Sequence, residues 1–192
     1  MPTQSDNTSA TLSNTELQEQ PDVIKSLPQA PSKRGYFGIG VYHPKTSENI
    51  GTLWRSAYIL GADFIFTIGR RFPKQASDTV KAYRHIPMFE YLDWDDFERH
   101  TPYDCQRVIV ELADNSRDLT NYTHPERAVY ILGAEDYGVP EKLHKGNMVV
   151  EIPATRSFCQ NVSVSGALVM FDRQQKSHHR VTDLVATDKE SK

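Results

Sequence analysis

Three polar or glycine-rich clusters hold the side chains best suited to chemistry, at residues 45–55, 133–138 and 153–161. Each cluster directly follows an apolar run whose composition predicts a β-strand. In an open parallel sheet, ligands bind beyond the carboxyl ends of the strands, which meet at one edge. The three clusters are therefore predicted to share one site.

The sequence lacks the familiar motifs for nucleotides and metals. The stretch GYFGIGVYH has His43 where a dinucleotide fingerprint needs its last glycine, and there is no Walker-type loop. No cysteine and histidine spacing is typical of a zinc site, and His178 and His179 fit a solvated tail. The acidic run at residues 93–98 indicates the polar start of a helix. We therefore expect no bound metal.

Strand and helix patterns alternate along the part of the chain that must position the clusters. Strands are predicted over residues 36–42, 63–68, 86–92, 107–112, 127–132 and 148–152. Helices are predicted from Thr46 or Ser47 to Gly61, after Asp93, and over residues 160–174. Continuous apolar strands that alternate with helices are typical of an α/β fold with a mostly parallel sheet and helices on both faces.

The length and composition favour one folded domain with polar ends. The chain has 192 residues, 38% hydrophobic and 24% charged. Residues 1–33 are rich in Ser, Thr, Asn, Gln and Pro, which predicts a disordered tail before a domain at 34–175 and a flexible tail at 176–192. No apolar stretch has the ~20 residues of a membrane helix, and no secretory signal is predicted. Two cysteines, Cys105 and Cys159, favour a reducing, cytoplasmic setting.

A basic stretch at residues 70–85 stands out against the net charge of -3. Phe72 and Tyr83 lie within it, and aromatic side chains among cations suit a phosphate backbone with exposed bases. On charge alone, a solvated protein face is the favoured explanation of the stretch. The predicted RNA-binding residues are Arg70, Arg71, Lys74, Lys81 and Arg84.

Three stretches in this order resemble the motifs of a known enzyme family. They are NIGTLWR (49–55), ILGAEDYGVP (131–140) and VVEIPATRSFCQNVSVSGALVMFDR (149–173). They are similar to the motifs of the SpoU/TrmH family, which are RNA ribose 2'-O-methyltransferases of the SPOUT class. The resemblance covers about residues 35–175. It implies an α/β fold with a C-terminal deep trefoil knot, a homodimer, and S-adenosylmethionine as cofactor.

The resemblance also implies roles for individual residues. Arg55 is the main catalytic candidate, as the base that accepts the ribose hydroxyl proton or as the group that grips the neighbouring phosphate. The further implied active-site residues are Asn49, Glu135 and Asn161. The backbone near four residues is implied to hold the cofactor: Leu112, Gly133, Ile152 and Cys159.

One departure from the family pattern keeps a second interpretation open. Family members often read SLN where this chain reads CQN at Cys159 to Asn161, so a serine hydroxyl is missing. The sequence favours an S-adenosylmethionine-dependent methyltransferase acting on a ribose 2'-hydroxyl in tRNA or rRNA. The alternative is a catalytically inactive RNA-binding or assembly protein with the same fold. A small-molecule enzyme that uses a nucleotide rests only on the fold class.

Overall fold

Seven parallel strands form the centre of the structure, a computed structural model that describes residues 35–70, 82–156 and 159–190. The predicted disordered tail at 1–33 lies outside the described residues. So do Arg71, Lys74 and Lys81 of the basic stretch. All described residues belong to one compact unit, Ser32–Lys192.

The sheet has the order β3-β2-β1-β6-β4-β7-β5, and every neighbouring pair is parallel. Its strands are β1 (Tyr36–Tyr42), β2 (Phe64–Ile68), β3 (Met88–Tyr91), β4 (Gln106–Val110), β5 (Arg117–Asp118), β6 (Arg127–Leu132) and β7 (Met148–Glu151). Helices cover both faces, so the central strands read as continuous apolar runs. The predicted mostly parallel α/β sheet is confirmed. Only the two-residue β5, which has no apolar pattern, was not predicted.

Three α-helices cover the sheet: α1 (Ser47–Ile59), α2 (Trp94–His100) and α3 (Val162–Glu190). The Asp93 side chain accepts a 2.8 Å hydrogen bond from the Asp96 N–H and so caps α2 as predicted. Helix α3 continues beyond its predicted end at residue 174 and through the predicted tail as far as Glu190, because residues 175–190 contain no glycine or proline. No helix within the described residues has the length and apolar character needed to cross a bilayer.

The two faces of the sheet carry separate apolar cores. On one face, α1 and α3 pack over alternate strand residues, among them Ile39 and Tyr130. A Cβ added at Gly166 of α3 would lie only 2.4 Å from Leu53 Cδ1, so this glycine sets the close approach of the two helices. On the other face, the α2 residues Trp94 and Phe97 cover the opposite set of strand residues. This packing fixes the start of α1 and of α3 at the same edge of the sheet.

The long connection between β4 and β6, residues 111–126, is hydrogen-bonded to α3. Lys176 Nζ donates to the carbonyls of Leu119 (2.5 Å) and Tyr122 (3.0 Å). Arg173 donates to the carbonyls of Pro125 (2.6 Å) and Glu126 (2.8 Å). Two cations of one helix therefore bind four carbonyl groups of this connection.

Buried His124 joins the same connection to both β6 and α3. Its Nδ1 lies 2.6 Å from the Tyr130 hydroxyl and its Nε2 lies 2.8 Å from Asp172 Oδ2. Burial lowers the pKa of His124 from 6.5 to about 4, against the opposing effect of the Asp172 carboxylate. The neutral ring satisfies both contacts, since Nε2–H donates to Asp172 and Nδ1 accepts from Tyr130. The charged groups that face the ring are Asp172, Arg173 and Lys176.

Because of this histidine, we expect the free energy of unfolding to decrease as the pH is lowered. Below pH 6.5 this histidine binds a proton in the unfolded chain, whereas in the folded protein it stays neutral down to about pH 4. The free energy of unfolding therefore decreases as the pH falls from 6.5 to about 4. His124 contributes at most about 1.4 kcal/mol per pH unit to the slope of the unfolding free energy against pH. Urea denaturation at pH 7, 6 and 5 should show a smaller decrease for His124→Gln than for the unsubstituted chain. The exposed-residue control His85→Gln should keep the full slope, and equal slopes in all three proteins would contradict this account.

Candidate active site

A cavity of about 1060 Å³ opens at the carboxyl edge of the sheet, beyond the ends of β4, β6 and β7. Five loop regions contribute to its wall: residues 111–115, 133–139, 141–145, 151–156 and 159–160. Val162 and Ser165 at the start of α3 also line it. The second and third of the three predicted clusters therefore face one shared space.

A chain of hydrogen bonds joins residues of all three clusters. Asn161 Nδ2 donates to Asn49 Oδ1 at 3.0 Å, and Asn49 Nδ2 donates to Glu135 Oε1. Asn161 Oδ1 accepts from both the backbone N–H (2.9 Å) and the hydroxyl (2.6 Å) of Ser163, and so fixes the start of α3. The side chains are drawn together over 86 and 112 residues of sequence. The structure thus brings three of the four predicted active-site side chains into direct contact.

The loop after β6 is a tight turn pinned at its base. The N–H of Gly138 donates to the carbonyl of Ala134 at 3.0 Å, and Gly138 has a φ of +59°, which favours glycine. A Cβ on Gly133 would lie 2.5 Å from the Gly138 Cα, so neither position accepts a side chain. An ion pair between Lys45 and Asp136 attaches the turn to the segment that precedes α1.

Glu111 is a site residue that the sequence analysis missed. It follows β4, and its two carboxylate oxygens accept from the backbone N–H groups of Leu112 (3.0 Å, Oε1) and Val139 (2.9 Å, Oε2). The carboxylate also packs against Gly138, whose added Cβ would lie 2.2 Å from Oε2. One side chain therefore binds two loops of the cavity together. The available signal was a glutamate at the end of the apolar run RVIVEL.

The four predicted cofactor-binding positions all line the cavity. Leu112 follows β4, Gly133 follows β6, Ile152 follows β7, and Cys159 belongs to the loop before α3. The fold thus gathers the positions from three strand ends into one wall. Their contacts with a cofactor stay a prediction.

The predicted basic residues that the structure describes, Arg55, Arg70 and Arg84, do not line the cavity. Arg55 is an exposed residue on α1, six positions after Asn49, and does not line the cavity. Arg70 Nη1 donates to the carbonyls of Pro44 (3.2 Å) and Lys45 (3.4 Å), so it holds the segment that leads into α1. The Arg84 guanidinium lies 5.8 Å from the centre of the Tyr83 ring.

Comparison with family models identifies the arrangement. The model described as "SpoU rRNA Methylase family" matches residues 37–171, which is most of the described fold and includes all three clusters. The chain belongs to this family. The resemblance drawn from the three motifs is confirmed.

Several SpoU-type proteins are similar to the chain. It is 35% identical over 75 residues to "rRNA methyltransferase 3A, mitochondrial" of Danio rerio, covering 37% of this chain but only 17% of that protein. It is 27% identical over 145 residues to "tRNA (cytidine(34)-2'-O)-methyltransferase" of Beijerinckia indica, covering 69% of this chain and 86% of the relative. An rRNA methyltransferase structure from Sinorhizobium meliloti with bound AdoMet superimposes with a TM-score of 0.67 at 23% identity, over 74% of this chain and 57% of that one.

The chemistry of the cavity fits S-adenosylmethionine, the cofactor of SpoU methyltransferases. Glu135 Oε2 and His144 Nδ1 are buried acceptors that find no hydrogen-bond donor among the described residues. His144 Nε2 lies 3.0 Å from the Val139 carbonyl, so in the neutral ring Nε2 carries the proton and Nδ1 accepts. S-adenosylmethionine has amino, ammonium and hydroxyl donors and a positive charge. The acidic residues of the wall, which outnumber its lysine and arginine, are Glu111, Asp114, Glu135, Asp136, Glu141 and Glu151.

No group of three or more His, Cys, Asp or Glu within the described ranges is arranged to hold a metal ion.

Glu111→Gln is expected to weaken the binding of S-adenosylhomocysteine, the reaction product. An amide group offers one acceptor oxygen where the carboxylate offers two, so one loop loses its charge-assisted hydrogen bond, worth about 1.5–3 kcal/mol. Calorimetric titration should give a dissociation constant raised about tenfold or more. Glu141→Gln removes a charge from the same wall and serves as the matched control. Equal affinities of the two variants would show that charge, and not the Glu111 hydrogen bonds, matters.

Proposed function

We propose that the protein transfers a methyl group from S-adenosylmethionine to the 2'-hydroxyl of a ribose in tRNA or rRNA. The observation that carries this proposal is the hydrogen-bonded set Asn49, Glu135 and Asn161, one residue from each SpoU motif, assembled beside a cavity that fits the cofactor. The printed names of the similar tRNA and rRNA methyltransferases support the substrate class.

The chain's own residues supply binding and alignment. The backbone near Leu112, Gly133, Ile152 and Cys159 holds the cofactor, and backbone groups bind adenine without a distinctive side-chain motif. When bound, S-adenosylmethionine supplies a methyl group attached to a positively charged sulfur. The sulfur is the leaving group and departs as a neutral thioether. Asn49 and Asn161 fix the turn that carries Glu135, and so hold the wall in one geometry before RNA arrives.

Arg55 serves as a phosphate clamp in this mechanism. A guanidinium stays protonated in proteins, which makes it a poor base, while its fork of donors matches a phosphate group. Arg55 is exposed on α1 and so is accessible to an RNA backbone. The clamp aligns the 2'-hydroxyl for attack, the new O–C bond forms as the S–C bond breaks, and the hydroxyl proton passes to water.

We further infer that the C-terminal segment is threaded as a trefoil knot. Strand β7 lies between β4 and β5, although residues 111–116 connect those two strands directly. The chain then continues into α3, and the remainder of the same connection is hydrogen-bonded to the side of that helix. A trefoil knot requires a segment that is inserted between two strands that are already connected and that then passes beneath their connection. The segment from β7 into α3 follows this path.

A homodimer is the second part of this inference. Helix α3 exposes an apolar stripe at helical spacing, with Val164, Leu168 and Phe171 at 49%, 39% and 52% exposure. Contiguous exposed apolar side chains are typical of a surface that meets another protein. The stripe begins next to Asn161 and Ser163, so a second copy of the chain bound there lies beside the active site.

The geometry of the site argues against the alternative of a catalytically inactive RNA-binding or assembly protein. Although CQN replaces the usual SLN, Asn161 makes hydrogen bonds to both Asn49 and Ser163. A site that had lost its function would have no reason to keep this arrangement. A cytoplasmic location stays a prediction from the two cysteines.

The direct test maps 2'-O-methylation across total RNA from cells with and without the gene. The proposal expects one or a few marks to disappear, and purified protein with S-adenosylmethionine should restore them on the unmodified RNA. An unchanged map together with no restored methylation would reject the enzymatic function and favour the binding or assembly protein.

Arg55→Ala is expected to lower the methylation rate about a hundredfold or more, because the acceptor strand loses its charged clamp. The affinity for S-adenosylhomocysteine should change less than twofold, since Arg55 does not line the cavity. Arg99→Ala, at an exposed arginine of α2, is the matched control and should retain full activity. Arg55→Lys separates the two roles, because a lysine base gives a rate that rises steeply toward its pKa of about 10.4, whereas a clamp does not.

The basic stretch is proposed to dock the RNA backbone. Arg71→Glu combined with Lys74→Glu should raise the RNA dissociation constant about tenfold and reduce its dependence on salt. Arg70 is left intact because it holds the segment before α1. Filter binding at several salt concentrations measures the effect, with Arg99→Glu as control. RNA affinity equal to that of the control would place docking elsewhere.

A further inference from the structure

Tyr137 has no task in the site as derived so far, yet it occupies the rim of the cavity. Its side chain is 86% exposed to solvent, although tyrosine is partly buried in most proteins. It also belongs to the cavity wall, between Asp136 and Gly138 at the tip of the turn after β6. An aromatic ring left in water at the mouth of a ligand site is available to a flat ligand group.

The turn fixes the backbone on both sides of Tyr137. On the side before Tyr137, Glu135 accepts a hydrogen bond from Asn49, and Asp136 forms an ion pair with Lys45. After it, the Gly138 N–H donates to the Ala134 carbonyl, and the next residue donates to Glu111. A residue fixed at its neighbours on both sides loses little backbone freedom when a ligand binds, so the contact costs little entropy.

We propose that Tyr137 stacks on the base of the nucleotide whose ribose is methylated. This inference rests on the proposed function and adds a specific contact to it. Single-stranded RNA is bound mainly by stacking its bases on aromatic side chains, with about 1–3 kcal/mol for each stacked base. A base held on this ring keeps its own ribose next to the cavity that holds the methyl donor. Stacking tolerates every base, so Tyr137 positions the nucleotide without selecting its identity.

The chain contains a matched control for this contact. Tyr103 is 91% exposed, similar to Tyr137. Its carbonyl accepts from Arg127, the first residue of β6, so Tyr103 lies at the amino end of the strands and away from the cavity. Substitution of either tyrosine removes an equally exposed ring and leaves the buried core intact.

The experiment compares the full-length protein with Tyr137→Ala, Tyr137→Phe and Tyr103→Ala. The substrate is total RNA from cells that lack the gene, which contains the unmodified target. Tyr137→Ala should raise the RNA KM about tenfold, in the range of one lost stack. Tyr137→Phe keeps the ring and should remain within twofold, as should Tyr103→Ala. The affinity of all four proteins for S-adenosylhomocysteine should be equal.

Two results would overturn the inference. One is a KM of Tyr137→Ala equal to that of Tyr103→Ala. The other is an equal loss of RNA and S-adenosylhomocysteine affinity in Tyr137→Ala, which would make Tyr137 a cofactor or loop residue. If the unsubstituted protein methylates no RNA, the proposed function fails first, and that outcome is distinct from both.

Discussion

The site depends on one short chain of hydrogen bonds, from Asn161 through Asn49 to Glu135. Asn161 directly precedes α3, Asn49 lies in the first turn of α1 and Glu135 lies in the turn after β6, and no local preference of the chain brings these segments together. Because an amide group can both donate and accept hydrogen bonds, Asn49 accepts one from Asn161 and donates one to Glu135. The hydrogen bond between Asn49 and Glu135 is partly buried, so its loss would leave a polar group without its partner.

Glu111 provides the second half of this constraint. It ties the loop after β4 to the turn after β6 through backbone N–H groups, while the asparagines tie that turn to α1 and α3. The loops of the wall are thereby held in place, and the tight packing of Gly133 against Gly138 leaves no room for a side chain at either position. We propose that backbone groups of these loops bind the nucleoside, which accounts for a sequence without a standard nucleotide motif.

The sequence predicted the parts of the fold that periodicity encodes. The six longer strands, the start of α1 and the Asp93 cap follow from apolar runs and capping residues, and the structure confirms them. Asn49, Glu135 and Asn161 were predicted together because three motifs in order are specific. Glu111 was missed since its partner Val139 lies 28 residues away, and no pattern reports such a pairing. The bonds between α3 and residues 119–126 escaped prediction for the same reason.

The central claim is that these tied loops form a binding site for a sulfonium methyl donor. Calorimetric titration of the unsubstituted protein with S-adenosylhomocysteine tests it most directly, because this ligand has the same adenosine and amino acid groups and needs no RNA. The account predicts saturable binding of one molecule per chain. A folded protein that releases or absorbs no heat of binding at any ligand concentration, and shows no binding by equilibrium dialysis, would contradict it.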